Sequence, residues 1–267
     1  MNIASAAGRI VIAGGGLGGL SAALAFAQSG WNVLVLEQAP EFGAIGYGIQ
    51  LGPNVFPMFE RLGVKDGVLA QSYLPSGLAM LDAFSGETIS RIPTGEDYRA
   101  RFGSPYACVH RIDLHMVLID ACRAHERIEL RESAPVSGFE EIDRGVRVHF
   151  GEGQSVDGAL LVGADGLRSP TRAAIVEDAG PEPTGFVAHR TLVPMDEVSA
   201  HLRRSEVCLW SGPGLHIVHY PLRRGELLNI VAVFKTPRHS VTDNVDAYKR
   251  EVQSTYADTH PHMKELL

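Results

Sequence analysis

Cysteine is scarce: Cys108, Cys122 and Cys208 are the only three in 267 residues. They are odd in number, far apart, and make no C-x-x-C pair. That argues against a disulfide framework, a paired-thiol redox centre or a thiolate zinc site, and it fits a reducing cytoplasm. Long apolar runs are missing too; none approaches the roughly 20 residues of a membrane-spanning helix. Basic runs are also absent. The formal net charge is −7, and the densest cationic spots are Arg203-Arg204 and Arg223-Arg224, so a nucleic-acid partner has little electrostatic support. There is no internal repeat or low-complexity tract. The first apolar stretch has no basic segment before it and runs straight into glycines, which reads as strand and loop rather than a secretion signal. What remains is a globular composition, 45% hydrophobic and 21% charged, suited to one large or two modest domains.

Glycine is where the chain becomes specific. Gly14-Gly15-Gly16-Leu17-Gly18-Gly19 follows the apolar run Arg9–Ala13, which reads as a buried parallel strand. Gly14 permits a tight turn, Gly16 lets a pyrophosphate approach the backbone, and Gly19 lets a helix pack close to the strand. That helix is expected over Leu17–Gln28, with Leu20, Ala23, Leu24 and Ala27 on one face. Its N-terminal amides, from Leu17 and Gly18 onward, would face phosphate. Trp31–Leu36 reads as the second strand. Glu37 ends it, where a carboxylate accepts hydrogen bonds from a ribose diol and disfavours a 2′-phosphate. Strand, glycines, helix, strand and acid in register point to a dinucleotide.

A second glycine motif, Gly163-Ala164-Asp165-Gly166, lies far downstream, directly after the apolar run Ala159–Val162. Ser169, Pro170 and Arg172 follow it, with Pro170 placed to start a short helix. Between the two motifs stand Gly46-Tyr47-Gly48-Ile49-Gln50-Leu51-Gly52-Pro53-Asn54 and His110-Arg111-Ile112-Asp113-Leu114. Pro53-Asn54 would open a helix through Leu62. Arg111 would open another, running through His125 with Leu114, Val117, Leu118 and Ala121 on one face.

With these segments in place the chain resembles the class A, single-component FAD-dependent aromatic monooxygenases. The resemblance extends over essentially all of the chain. It implies an α/β fold in which a Rossmann-like FAD-binding (βαβ) domain is interleaved with a β-sheet-rich substrate domain. It also implies that Gln50 approaches the flavin ring, that Arg111 reaches the pyrophosphate, and that Asp165 binds near the diphosphate and ribityl chain. The expected division is residues 1–77 and 105–182 for FAD, and 78–104 and 183–267 for substrate, with Leu78–Arg101 crossing over as strands. FAD would stay bound. A pyridine nucleotide, NADH ahead of NADPH, would bind transiently as in the family, which fits the lack of a second Rossmann motif.

Leu215–Leu222 reads as a strand, Arg223-Arg224-Gly225-Glu226 as a turn, and Leu228–Phe234 as the returning strand. Alternation puts His216, Val218 and Tyr220 on one face and His219 on the other. Here the chain is most similar to the 3-hydroxybenzoate 6-monooxygenases. That resemblance gives His216 the active-site role and makes Tyr220 and Tyr106 substrate-lining groups. It implies hydroxylation of a phenolic aromatic acid using NAD(P)H and O2. Salicylate 1-monooxygenases and 6-hydroxynicotinate 3-monooxygenases share the flavin motifs and remain alternatives. His110, His115, His189 and His219 read as ordinary core or surface side chains, and the eleven histidines show no metal-ligand spacing. The family's downstream Gly-Asp flavin segment has no counterpart before Leu267. The expectation is therefore a fragment or a shortened chain with exposed apolar patches, and a non-catalytic nucleotide-binding module stands as the alternative of another class. A homodimer is a further expectation.

Overall fold

The computed structural model describes residues 8–43, 46–177, 180–236 and 245–267. In chain order the first half contains β1 (Arg9–Ala13), α1 (Leu17–Gln28), β2 (Asn32–Leu36), β3 (Gly48–Leu51), α2 (Phe56–Leu62), α3 (Lys65–Gln71), β4 (Ser72–Tyr73), β5 (Gly77–Asp82), β6 (Thr88–Pro93), α4 (Glu96–Phe102), β7 (Ala107–His110) and α5 (Arg111–Arg123). Then come β8 (Ile128–Arg131), β9 (Val136–Ile142), β10 (Gly145–Phe150), β11 (Gln154–Gly158), β12 (Leu160–Gly163), α6 (Pro170–Ile175), β13 (Phe186–Pro194), β14 (Val207–Gly212), β15 (Leu215–Leu222), β16 (Leu227–Lys235), α7 (Val245–Thr255) and α8 (Pro261–Glu265). The fold is mixed α/β with a parallel Rossmann-like sheet, and the contacts divide it into two compact units.

The first unit comprises Met1–Gly46, Pro57–Val68 and Ile112–Glu182. Its parallel sheet has the order β12-β1-β2-β8. Alternation sorts the strand residues: Val11, Leu34 and Leu36 pack with Val146, Val148 and Phe150 of the antiparallel meander β11-β10-β9. Helix α1 packs against β1 and β2, burying Leu20, Ala23, Leu24 and Ala27. The register Ala13↔Gly163 is the link that matters for function. It sets the ends of β1 and β12 side by side, so the two glycine motifs leave the sheet together.

The second unit comprises Tyr47–Phe56, Leu69–Arg111 and Pro183–Leu267. Its main sheet has the order β13-β16-β15-β14-β5-β6 and is antiparallel except for β14 beside β5. One face packs Ile217, Ile230, Ala232 and Phe234 with Tyr256 and Met263 of the C-terminal segment. The other packs Tyr220 and Leu222 with Cys108 and Tyr106, beside the small sheet β3-β7-β4.

Two local readings differ from the structure. Leu78–Arg101 is not strand throughout, because Glu96–Phe102 is helical. Glu96 and Asp97 favour its N-terminal turn, Arg99 and Arg101 its last turn, and Gly103 at φ 72° closes it in the left-handed conformation. Helix α5 stops at Arg123, and its buried face is Leu114, His115, Leu118, Ile119 and Cys122. The apolar stripe is therefore rotated by about one position from Val117 and Ala121.

Candidate functional site

Gly14, at φ 102°, turns the chain out of β1. A Cβ there would lie 2.4 Å from the carbonyl oxygen of Ala164, and one on Gly19 would lie 1.9 Å from that of Gly14. These two glycines are needed by the protein's own packing. Gly16 and Gly18 are different: a Cβ on either would meet nothing within 4 Å. The open space above Gly16 is what a ligand pressed against the backbone requires. Gly16 caps α1 without any side-chain hydrogen bond to the first turn, so the amides that begin at Leu17 face outward for an anion.

A cavity of about 370 Å³ lies over this turn, and Gly14, Gly16, Glu37, Asp165, Gly166 and Arg168 are among its walls. Glu37 accepts hydrogen bonds from the amides of Gly15 at 2.6 Å and Ala39 at 2.9 Å, one on each oxygen. The remaining lone pairs stay open to a diol. The side chain of Asp165 accepts from the Ser169 hydroxyl and, at 3.0 Å, from the Thr171 amide. Burial alone would raise its pKa, but the bonds from Ser169 and Thr171 hold the carboxyl below its usual range. Ser169 also caps α6 by accepting from the Arg172 amide at 2.8 Å. The second motif is thus both a helix cap and a cavity wall. A cradle with two glycine turns, helix amides, and one acid from each side fits a dinucleotide such as FAD.

His115, read from the sequence as an ordinary core or surface side chain, is a core residue with a specific partner. It is 8% exposed, and its Nε2 lies 2.7 Å from the Gly15 carbonyl oxygen, tying α5 to the phosphate-facing turn. The signal that could have found it is a polar residue on the apolar stripe of a helix, once the stripe is phased correctly.

The second unit gathers a different group. Tyr106 donates to Gln50 Oε1 at 2.5 Å. Burial pushes the Tyr106 hydroxyl up to about 12, with Cys108 and Tyr98 adding to it. Burial likewise raises Tyr220, while a hydrogen bond with Gln50 and the Arg190 charge oppose it. Both phenols are therefore protonated donors at neutral pH. Gly48 makes the close fit: a Cβ there would lie 2.7 Å from the Tyr220 ring, and its amide donates to Asn229 Oδ1 at 2.8 Å. Asn229, fully buried, is a residue the sequence reading missed; a lone polar side chain inside Leu227–Phe234 was its signal. Gln50 and Val218 also line a cavity of about 260 Å³ with Leu78, Met80 and Leu209.

His216 shares the β15 face of Val218 and Tyr220 by alternation. It is half-buried and stands outside the Gln50–Tyr106–Tyr220 contacts, one rung pair from Val218. Burial lowers its pKa from 6.5. Arg111 belongs to this unit, opens α5, is exposed, and donates its amide to the Tyr47 carbonyl at 2.8 Å. The structure therefore brings Gly14, Gly16, Glu37 and Asp165 to one cavity wall, with Leu17, Gly18 and Gly19 on the adjoining turn. Gln50, Tyr106 and Tyr220 form another group, and His216 lies on the strand face of Tyr220. Among the described residues, no group of three or more His, Cys, Asp or Glu is arranged to hold a metal, and no helix is long and apolar enough to cross a membrane.

A parallel sheet whose first strand ends in a glycine turn, with an acid on the neighbouring strand and a second Asp-Gly turn beside it, defines a dinucleotide-binding flavoprotein class. Residues 8–261 match the family described as FAD binding domain, and the chain belongs to that family. It is 39% identical over 258 residues to 3-hydroxybenzoate 6-hydroxylase of Polaromonas naphthalenivorans, covering 97% of this chain and 64% of that protein. It is 32% identical over 261 residues to 6-hydroxynicotinate 3-monooxygenase of Bordetella bronchiseptica, covering 97% of this chain and 67% of that one. Among solved structures, Klebsiella pneumoniae HpxO complexed with FAD and uric acid superposes with a TM-score of 0.83 at 26% identity, covering 97% of this chain and 64% of that one. The chain thus spans a little under two thirds of the length of the first of these relatives.

Proposed function

We propose that the protein is an FAD-dependent aromatic monooxygenase that hydroxylates a phenolic acid of the 3-hydroxybenzoate kind, with NADH as transient reductant and O2 as oxidant. The observation that carries the reading is the convergence of Gly14, Gly16, Glu37 and Asp165 on one cavity, in a chain that is 39% identical to a 3-hydroxybenzoate 6-hydroxylase. Gly16, the Leu17, Gly18 and Gly19 amides, and Asp165 would hold the diphosphate, with Arg111 adding charge. Glu37 would hold the ribose. When bound, FAD supplies hydride acceptance and oxygen activation, which no side chain here can provide.

The protein's own task is to orient the ring and make it nucleophilic. Tyr220 donates its O–H to a polar group of the substrate and Tyr106, whose one proton goes to Gln50 Oε1, accepts from another, while Gln50 keeps the pair together. His216 takes the phenolic proton. Burial lowers its pKa below 6.5, so the imidazole is a neutral acceptor at pH 7 and turnover falls only in more acid solution. On this reading the carboxylates Glu37 and Asp165 serve the cofactor, and the phenols Tyr106 and Tyr220 serve the substrate. The domain division at residues 1–77 and 105–182, and at 78–104 and 183–267, belongs to this proposal. So do a cytoplasmic location, which fits three free buried cysteines, and a homodimer without a nucleic-acid partner.

The test is His216→Asn. Turnover with 3-hydroxybenzoate should fall by about 10²-fold or more, while FAD remains bound with unchanged affinity. Unchanged turnover removes His216 from the chemistry. Faster turnover of 6-hydroxynicotinate than of 3-hydroxybenzoate by the wild-type chain moves the substrate to the other relative's class.

A further inference from the structure

The sheet of the second unit has a second cavity, on the face turned away from Tyr220. His189 pairs with Ala232 in the register of β13 and β16, and Ala232 alternates with Asn229, the partner of Tyr220. On that face α7 and α8 border an open cavity of about 730 Å³, twice the volume found over the glycine turn. Ile230 and Ala232 make its floor, and Val252 and Leu266 its roof.

Its charged side chains are all cationic. Lys249, Lys264 and Arg190 are its charged side chains, and among the described residues no Asp or Glu side chain lines it, although the whole chain carries a net −7. The His189 ring stacks on Phe234 at 5.3 Å and tilts against Tyr248 at 4.7 Å. Its Nε2 is buried with no hydrogen-bond partner among the described residues. Burial lowers the His189 pKa, with the Glu251 charge opposing, so the ring is neutral at pH 7 and holds one N–H or one lone pair for a guest. An apolar floor, the rings of His189, Tyr248 and Tyr256, and a few convergent cations describe a small-molecule site.

We infer that this cavity is a binding site for an aromatic monocarboxylate, separate from the Gln50–Tyr106–Tyr220 group. The ring lies between the Ile230–Ala232 floor and the His189–Tyr248 wall, and the carboxylate faces Lys249 and Lys264. Arg190 is given no part in holding it, because its charge is also felt by Tyr220.

Equilibrium dialysis of radiolabelled benzoate against the purified chain tests this. Lys249→Glu, Lys264→Glu and their double variant change only exposed positions, and Tyr220→Phe alters the opposite face. The wild type should bind benzoate at a site whose dissociation constant rises at least about tenfold in the double variant and is unchanged in Tyr220→Phe. Binding that is equal in wild type and all lysine variants overturns the inference, as does a single site abolished by Tyr220→Phe. If the double variant fails to melt cooperatively, the two single variants decide, each expected to weaken binding about threefold or more.

Discussion

At the residue scale the glycines of the first motif divide by what surrounds them. Gly19→Ala drives a methyl into the Gly14 carbonyl, 1.9 Å away, and should cost about 2 kcal/mol or more in urea unfolding. Gly16→Ala meets open space. It should change apoprotein stability by less than about 0.5 kcal/mol and yet weaken FAD binding at least about tenfold, read by quenching of flavin fluorescence. Equal stability losses for the two variants would contradict this division. His219 gives the pH prediction. It is 1% exposed and bonded to Trp210 at 3.1 Å. Burial, helped by Arg204, lowers its pKa from 6.5 to about 4. The unfolded chain then binds the proton more readily, so stability is full above pH 6.5 and is lost as pH falls toward 4. The contribution is about 3 kcal/mol. Urea midpoints should drop across that window, and His219→Gln should flatten the slope; an unaltered slope would assign the drop to other groups. Glu37 and Asp165 were legible because a carboxylate beside a glycine turn has few structural uses. His115 and Asn229 were not, because their partners, Gly15 and Gly48, are 100 and 181 residues away.

At the scale of elements, β1, α1 and β15 lie where periodicity placed them, since each buries a continuous apolar face. Helix α4 was misread as strand because its apolar content is low, and its charges, acids first and arginines last, are what mark it. The β9–β11 meander escaped notice, being short and half-exposed except along β10. Helix α6 has six residues and depends on its cap. Asp165→Asn keeps the shape but weakens the acceptor for Ser169 and Thr171. It should cost about 1 kcal/mol and lower FAD affinity. Lower affinity with an unchanged urea midpoint would mean that Asp165 serves the ligand alone.

At the scale of the molecule, the alliance of two glycine motifs was visible in the sequence, but the reason for it was not. That reason is the parallel register Ala13↔Gly163, a long-range pairing that local spacing does not encode. The membership in the FAD binding domain family accounts for why both motifs are present. The most direct measurement of the account is the visible absorption spectrum of the chain after loading with FAD and desalting, followed by titration with 3-hydroxybenzoate. The account predicts that flavin absorbance persists and shifts saturably with the aromatic acid. A chain that emerges colourless, or one whose flavin spectrum no phenolic acid alters, would contradict it.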